Sequence, residues 1–371
     1  MLRRPLSAAL AAAVLFAAPL GGSAAVAAPA PTADPGPVSV LDTLPLPNFD
    51  RLDPSPHPVA LTAAPRPLNV SYTYNGQTRT LDDFLNRTTQ GFVVLDGDKI
   101  VKEWYAPGYS QDSLFQSWSM AKSFTSVAIG IAIGEGKIHS IDDTVGQYIP
   151  ELAKSAYGDI TVRNLLRMAS GIAWTEAIDD IPMHVLVSLG LTTTRDWASG
   201  RTKAVEQGTT FNYTSMNTAV LALILARATG MPYYKYVQQK LWNPGGMAST
   251  AFVGNDSHGN ALGYCCYYAR DRDFARFGKL MLDGGSVGGV QVVPHDWVTL
   301  SATPAGNTPT YGLSWWLDGD DAFYADGLGG QDIYVSRKYN VVVVKSTFLN
   351  LDTAEDVPAY RAVAAEVART R

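Results

Sequence analysis

The order of strand-like and helix-like segments predicts an α+β fold: an antiparallel sheet built from both chain ends, flanked by helices, with a mostly helical domain inserted between. Three observations carry this. Runs rich in β-branched residues occur near positions 91–104 and return between 313 and 345. The intervening block shows apolar residues at helical spacing, broken by capping residues. The chain then closes on a further helical stretch, from about Thr353 to Arg371.

The first residues read as a secretory signal. Arg3-Arg4 precede an apolar stretch from Leu6 to Ala18, and Ala25-Val26-Ala27 offers a small-residue cleavage site, so residues 1–27 are expected to be removed on export. Residues 28–80 begin as a proline- and alanine-rich arm, expected to be extended and polyproline-like as far as about residue 66. Thr80-Leu81-Asp82-Asp83 predicts a capped short helix. Gly91–Leu95 and Lys99–Trp104 flank Asp96-Gly97-Asp98, a hairpin signal. Residues 81–118 and 285–371 are therefore assigned to the sheet domain and 119–284 to the helical one. Within the latter, capped starts are expected at Ser140 and Thr161. Asn217–Thr229 closes at Gly230, and Arg272–Asp283 closes at Gly284-Gly285. Leu313–Trp316, Ile333–Ser336 and Asn340–Lys345 read as strands.

Composition excludes some functions. A net charge of −5 with 17% charged residues leaves no basic footprint for nucleic acid. No segment reaches the roughly 20 apolar residues of a membrane span, so the mature protein is expected to lack one. The two cysteines, Cys265 and Cys266, are adjacent. Their Cα atoms stand about 3.8 Å apart across one peptide, below the usual span of a disulfide, so two free, buried thiols are expected over a vicinal bridge. The histidines show no ligand spacing, and neither metal nor cofactor is expected.

The chemistry centres on Ser119-Met120-Ala121-Lys122. If the segment from here to Glu135 is helical, residues three apart share a face, and Lys122 lies beside Ser119. The alternating Ile129, Ile131 and Ile133 also suit a strand, but the length without proline favours a helix. A serine hydroxyl needs a neighbouring base, and a lysine serves only when burial keeps it neutral. Alone the pattern is short, expected by chance roughly once in such a chain. Two further stretches follow: Tyr213-Thr214-Ser215 in a loop feeding a helix, and Asp326-Gly327-Leu328-Gly329-Gly330-Gln331 entering a strand. A tyrosine whose pKa a cationic lysine lowers could relay protons, and glycines at a strand edge permit close approach of a substrate backbone. Gly284-Gly285-Ser286-Val287-Gly288 imitates a nucleophile elbow but follows a helix rather than a strand.

The ordered set Ser-x-x-Lys, Tyr-x-Ser and Gly-Gly resembles the serine β-lactamase and penicillin-binding-protein superfamily, in its class C-like branch, over about residues 85–365. The stretches 119–124, 171–176 and 329–331 are most similar to 6-aminohexanoate-dimer hydrolases and related carboxylesterases. The resemblance implies a β-lactamase/transpeptidase-like fold, with Ser119 as nucleophile, Lys122 as activating partner and Tyr213 as second acid/base. It implies an oxyanion hole from the backbone N–H groups of Ser119 and Gln331. Gly329 and Gly330 would border the substrate. Ser215 stands where the superfamily more often has asparagine. Leu328-Gly329-Gly330 replaces Lys-Thr-Gly, which disfavours a β-lactam and prefers a linear amide or ester. Trp118, Trp174, Trp315 and Trp316 are candidates for an apolar acyl pocket, although aromatics in such stretches are more often simply core. Glu176, Asp179 and Asp180 either meet a substrate ammonium or form a solvated acidic loop, the latter being expected. The leading expectation is an exported serine hydrolase of small-molecule amides or esters. A D-amino-acid peptidase or transpeptidase, and a non-catalytic binding protein on the same fold, are the alternatives; oligomeric state is left open.

Overall fold

The computed structural model describes residues 48–256, 258–350 and 352–371. The signal expectation for 1–27 and the first part of the arm lie outside the described residues. Seven strands form the main sheet. Its N-terminal members are β2 (Thr62–Ala63), β5 (Gly91–Asp96) and β6 (Lys99–Tyr105). Its C-terminal members are β12 (Trp316–Asp318), β13 (Ala322–Gly327), β14 (Gln331–Ser336) and β15 (Val341–Ser346). The order is β12-β13-β14-β15-β5-β6-β2, antiparallel except for β2 beside β6. The two ends of the chain meet where β15 pairs with β5, Val343 opposite Val94.

Both faces of this sheet are covered, which explains the unbroken apolar runs of its central strands. Val93, Leu95, Val342 and Val344 point into one core, under the helix Asp271–Leu282. Phe92, Val94, Val341 and Val343 point into the other, under the helices Leu81–Thr88 and Asp356–Arg369. This is the two-residue period of a strand, with every phase buried.

The helix Ala121–Gly134 runs through the first core with residues 121–132 all buried, and packs against the helix Ser215–Thr229. Its Gly130 lies flat on the Trp297 indole, where a Cβ would come within 2.3 Å of the ring. The helical block is not purely helical. A second sheet, in the order β1-β8-β9-β7, joins Asn48–Leu52, Ala251–Asn255, Tyr267–Ala269 and Phe115–Gln116, and a short hairpin of β10 (Ser286–Val287) and β11 (Val290–Gln291) follows the block. The described part of the arm is thus fixed to the body. β1 pairs with β8, Arg276 Nε donates to the Val59 carbonyl at 2.8 Å, and Asn75-Gly76 turns a hairpin between β3 (Ser71–Tyr74) and β4 (Gln77–Thr80).

Capping is as expected at Thr80 and Thr161, whose side chains accept from Asp83 N and Asn164 N. Elsewhere tertiary bonds override local signals. No helix starts at Ser140, because the carbonyls of Ile141 and Asp143 accept from Arg163 N and Val162 N; the helix begins at Val145 behind Thr144. Leu313 and Ser314 are not in a strand, since the hydroxyls of Ser126 and Ser123 take their carbonyls at 2.7 Å. The expected acidic loop at 176–180 is instead the start of a helix, Glu176–Ser188, which holds Pro182 in its interior.

Candidate active site

The catalytic candidates begin on a 3₁₀ turn, Trp118–Met120, that feeds the buried helix. Ser117 anchors the turn to β9: its N–H donates to Tyr267 O at 2.8 Å, and its hydroxyl accepts from Tyr267 N at 3.0 Å. Trp118 is held at φ 42°, a costly conformation for a bulky residue. Gly327, at the end of β13, lies so close that a Cβ there would sit 2.5 Å from Ser117 O. Ser119 is thereby presented, half-buried, at the sheet edge.

Lys122, one turn on, is 1% exposed. Its Nζ lies 2.7 Å from Ser119 Oγ and donates to the Tyr264 carbonyl at 3.0 Å. Burial pulls its pKa below the ordinary lysine value, against the carboxylates of Glu176, Asp180 and Asp326, which favour the charged amine. No ion-pair partner touches it among the described residues, so this amine is one that can be neutral.

Tyr213 arrives from the loop before the helix Ser215–Thr229. Asn212 holds that loop, its N–H on Met168 O at 2.8 Å and its side-chain amide on Trp174 O at 3.0 Å. The Tyr213 ring centre is 5.0 Å from Lys122 Nζ, and Tyr213 and Ser119 line the same cavity, with Ser119 among the groups that act on the phenol. Trp316 stacks on the ring at 5.7 Å. Burial first, then Tyr311 and Glu176, pushes its pKa well above the usual phenol value. This corrects the expectation that a cationic lysine lowers it; the phenol is held protonated.

The wall opposite Tyr213 is acidic. Glu176 accepts from Ser215 N at 2.9 Å, from the Ser215 hydroxyl and from Trp174 Nε1. Asp180, one turn later on the same helix face, has an Oδ1 sealed from solvent with no hydrogen-bond partner. Burial, with Glu176 adding to it, pushes the Asp180 carboxyl up to about 7. Neither residue belongs to a solvated loop, which corrects that expectation. Asp179, by contrast, pairs with Arg201 at 3.2 Å and does not line the cavity.

A cavity of about 240 Å³ collects most of these groups: Trp118, Ser119, Glu176, Tyr213, Ser215 and Gly329 line it, with Asp180, Trp316 and Asp326. Lys122, Gln331, Trp174, Trp315 and Gly330, all expected in the site, are not among its lining residues. Trp174 stands behind Glu176, and Trp315 is fully buried against Phe277 and Phe323. Gly330 lies beneath the floor, where a Cβ would meet Asp356 Oδ2 and Lys345 Nζ, each at 2.9 Å. Gln331 follows it as the first residue of β14, opposite Gly327, against which the Ser119 turn packs. Gly329 and Gly330 have φ of 83° and 93°, so glycine is required at both.

Sequence reasoning missed His184, Tyr264, Cys265, Ile181, Phe211 and Thr353, which also line the cavity. His184 carried a signal: Glu176, Asp180 and His184 are spaced four apart, one stripe on a helix that Pro182 disguised. Tyr264 and Cys265 carried none. The cysteines are not free thiols. Cys265 and Cys266 are joined as a vicinal disulfide, which corrects that expectation; Cys266 takes a positive φ of 75°.

Fold and site together define an α+β hydrolase with a serine, lysine and tyrosine gathered at a sheet edge. A family model described as Beta-lactamase matches residues 78–368, and the chain belongs to that family; it is a serine hydrolase of the β-lactamase superfamily. Among its relatives is the 6-aminohexanoate-dimer hydrolase of Paenarthrobacter ureafaciens, 31% identical over 285 residues, covering 69% of this chain and 72% of that protein. Solved structures share the fold. One is a Bacillus anthracis protein assigned as a 6-aminohexanoate-dimer hydrolase (TM-score 0.78, 23% identity, 87% of this chain and 92% of that one). Another is a family VIII carboxylesterase (TM-score 0.57, 15% identity, 76% and 95%). No helix among the described residues is long and apolar enough to cross a membrane.

Proposed function

We propose that this chain is an exported hydrolase of linear amides or esters that works through an acyl-enzyme on Ser119. The observation that carries the reading is the convergence of three side chains: Lys122 Nζ lies 2.7 Å from Ser119 Oγ and 5.0 Å from the centre of the Tyr213 ring, and Tyr213 lines the same cavity as Ser119. Neutral Lys122 takes the Ser119 proton as Oγ attacks the carbonyl carbon. The backbone N–H groups of Ser119 and Gln331 receive the developing oxyanion. Tyr213, kept protonated by its surroundings, gives its proton to the departing amine or alcohol and recovers one from the Lys122 ammonium. Water entering the vacated space then attacks the acyl-enzyme, its proton passing back along the same groups. Ser215, tied to Glu176, borders the substrate.

The lining favours a substrate with an amine rather than a carboxylate near the scissile bond. Glu176, Asp180 and Asp326 border the cavity, and no lysine or arginine is among the described residues that line it. A β-lactam or a D-amino-acid peptide, each with a carboxylate to be recognised, fits this lining poorly. A linear amide with a free ammonium, such as the aminohexanoate oligomers named for the Paenarthrobacter relative, fits it well. The test is Ser119→Ala assayed with p-nitrophenyl acetate and with an aminohexanoate dimer. Turnover of both should vanish; retained ester turnover would put the nucleophile elsewhere.

A further inference from the structure

One feature of the cavity wall plays no part in that chemistry. Cys265 and Cys266 are bonded to each other between β8 and β9, 4% and 1% exposed, yet Cys265 lines the substrate cavity. The helix Glu176–Ser188 brings His184 to the same place. Its Nδ1 is 3.8 Å from Cys265 Sγ and 2.9 Å from the Tyr264 hydroxyl. The donor atoms of His184, Cys265 and Cys266 all lie within 4.8 Å of one another. The residue just before the pair, Tyr264, holds Lys122 through its carbonyl at 3.0 Å.

Two sulfurs and an imbedded imidazole at this separation are the donor set of a zinc-type or softer cation, but only as thiolates. While the sulfurs are bonded to each other they cannot serve. We propose that Cys265, Cys266 and His184 form a redox-gated site for one thiophilic divalent cation, zinc or cadmium, in the wall of the substrate cavity. A dithiol reductant opens the site. The S–S bond breaks, two electrons and two protons make two S–H groups, and the reductant leaves as its own disulfide. The cation then displaces the two thiol protons, forms two metal–sulfur bonds and takes His184 as a third ligand. Reduction also removes the covalent link that holds Cys266 at positive φ, beside the carbonyl that orients Lys122. Metal uptake is therefore coupled to the position of the Lys122 amine.

The test uses the full chain, untreated or reduced under native conditions with a phosphine, which supplies the two electrons and leaves as its oxide with oxygen from water. After removal of reductant, thiols are counted and cadmium is titrated by the ultraviolet sulfur-to-cadmium band. The untreated protein should show no thiols and no band. The reduced protein should show both thiols, bind one cadmium per chain and lose ester turnover, which a chelator restores. His184→Ala should weaken cadmium binding at least about 10–100-fold, the scale of losing even a side chain that only supports a ligand. Failure of the phosphine to release thiols from the native protein overturns the proposal, as does reduced wild type without a band. Unchanged affinity in the His184 variant removes the third ligand and overturns it too. The wild-type arms depend on no variant folding.

Discussion

Two lysines lie fully inside this protein, and they do different things. Lys345, 0% exposed on β15, meets the Asp356 carboxylate at 2.8 Å beneath the Gly329-Gly330 turn. Lys122, 1% exposed, meets a hydroxyl and a carbonyl, with carboxylates acting on it only through space. The residue type and burial match; the partner differs. A buried ammonium against a carboxylate is a fixed structural charge, whereas a buried amine facing neutral oxygens is free to lose its proton. The same strand edge that lacks the lysine of Lys-Thr-Gly has a cation directly below it, spent on Asp356 and absent from the cavity.

The comparison can be broken by removing each amine in turn. Lys122→Met should lower kcat by about 10²–10⁴-fold, the usual worth of a positioned acid–base group, with thermal unfolding little changed. Lys345→Met should do the reverse, leaving Asp356 buried and unpaired at a cost of about 3–5 kcal/mol in denaturant unfolding. If Lys122→Met unfolds the protein and Lys345→Met only slows it, the assignment of roles is wrong.

Tyr213→Phe sharpens the Lys122 side. It should cost amide turnover about 10²–10³-fold, while an ester with a good leaving group, needing little protonation, should lose far less. Equal losses would show that the phenol does not serve the leaving group. On the Lys345 side, Gly330→Ala forces a Cβ against Lys345 Nζ and Asp356 Oδ2 at φ 93°, and should cost about 1–3 kcal/mol in stability.

The smallest effect concerns pH. Lys122 acts when neutral, so kcat/KM should rise with pH through an acidic limb lying below the ordinary lysine value of 10.5. Asp180 is ionised above about 7, where its charge favours the protonated amine. Asp180→Asn should therefore move the limb to lower pH. The same variant should raise KM for an amine-bearing substrate more than for a neutral ester. A limb that stays in place would take Asp180 out of the field of Lys122.

Much of this site was legible along the chain because its parts are local. Ser119 and Lys122 are one helical turn apart, Tyr213 and Ser215 share a loop, and Gly329-Gly330-Gln331 turn into one strand. The acidic wall was harder: Pro182 reads as a breaker, so the stripe of Glu176, Asp180 and His184 was hidden in an apparent loop. Trp174 and Trp315 take the commoner course of an aromatic beside a motif and pack away from the cavity, whereas Trp118 and Trp316 line it.

The sequence by itself determined the elements whose bonds close within a few residues: capped helices, the Asp96-Gly97 hairpin, and the serine–lysine neighbourhood. Tertiary structure alone decided which amine is reactive, which carboxyl oxygen is sealed from solvent without a hydrogen bond, and that two adjacent sulfurs join beside His184. Those outcomes depend on desolvation and on partners drawn from distant segments, such as Tyr264 against Lys122 and Asp356 against Lys345. Neither dielectric nor long-range contact is written in local order, because both arise only when the chain has closed around its core.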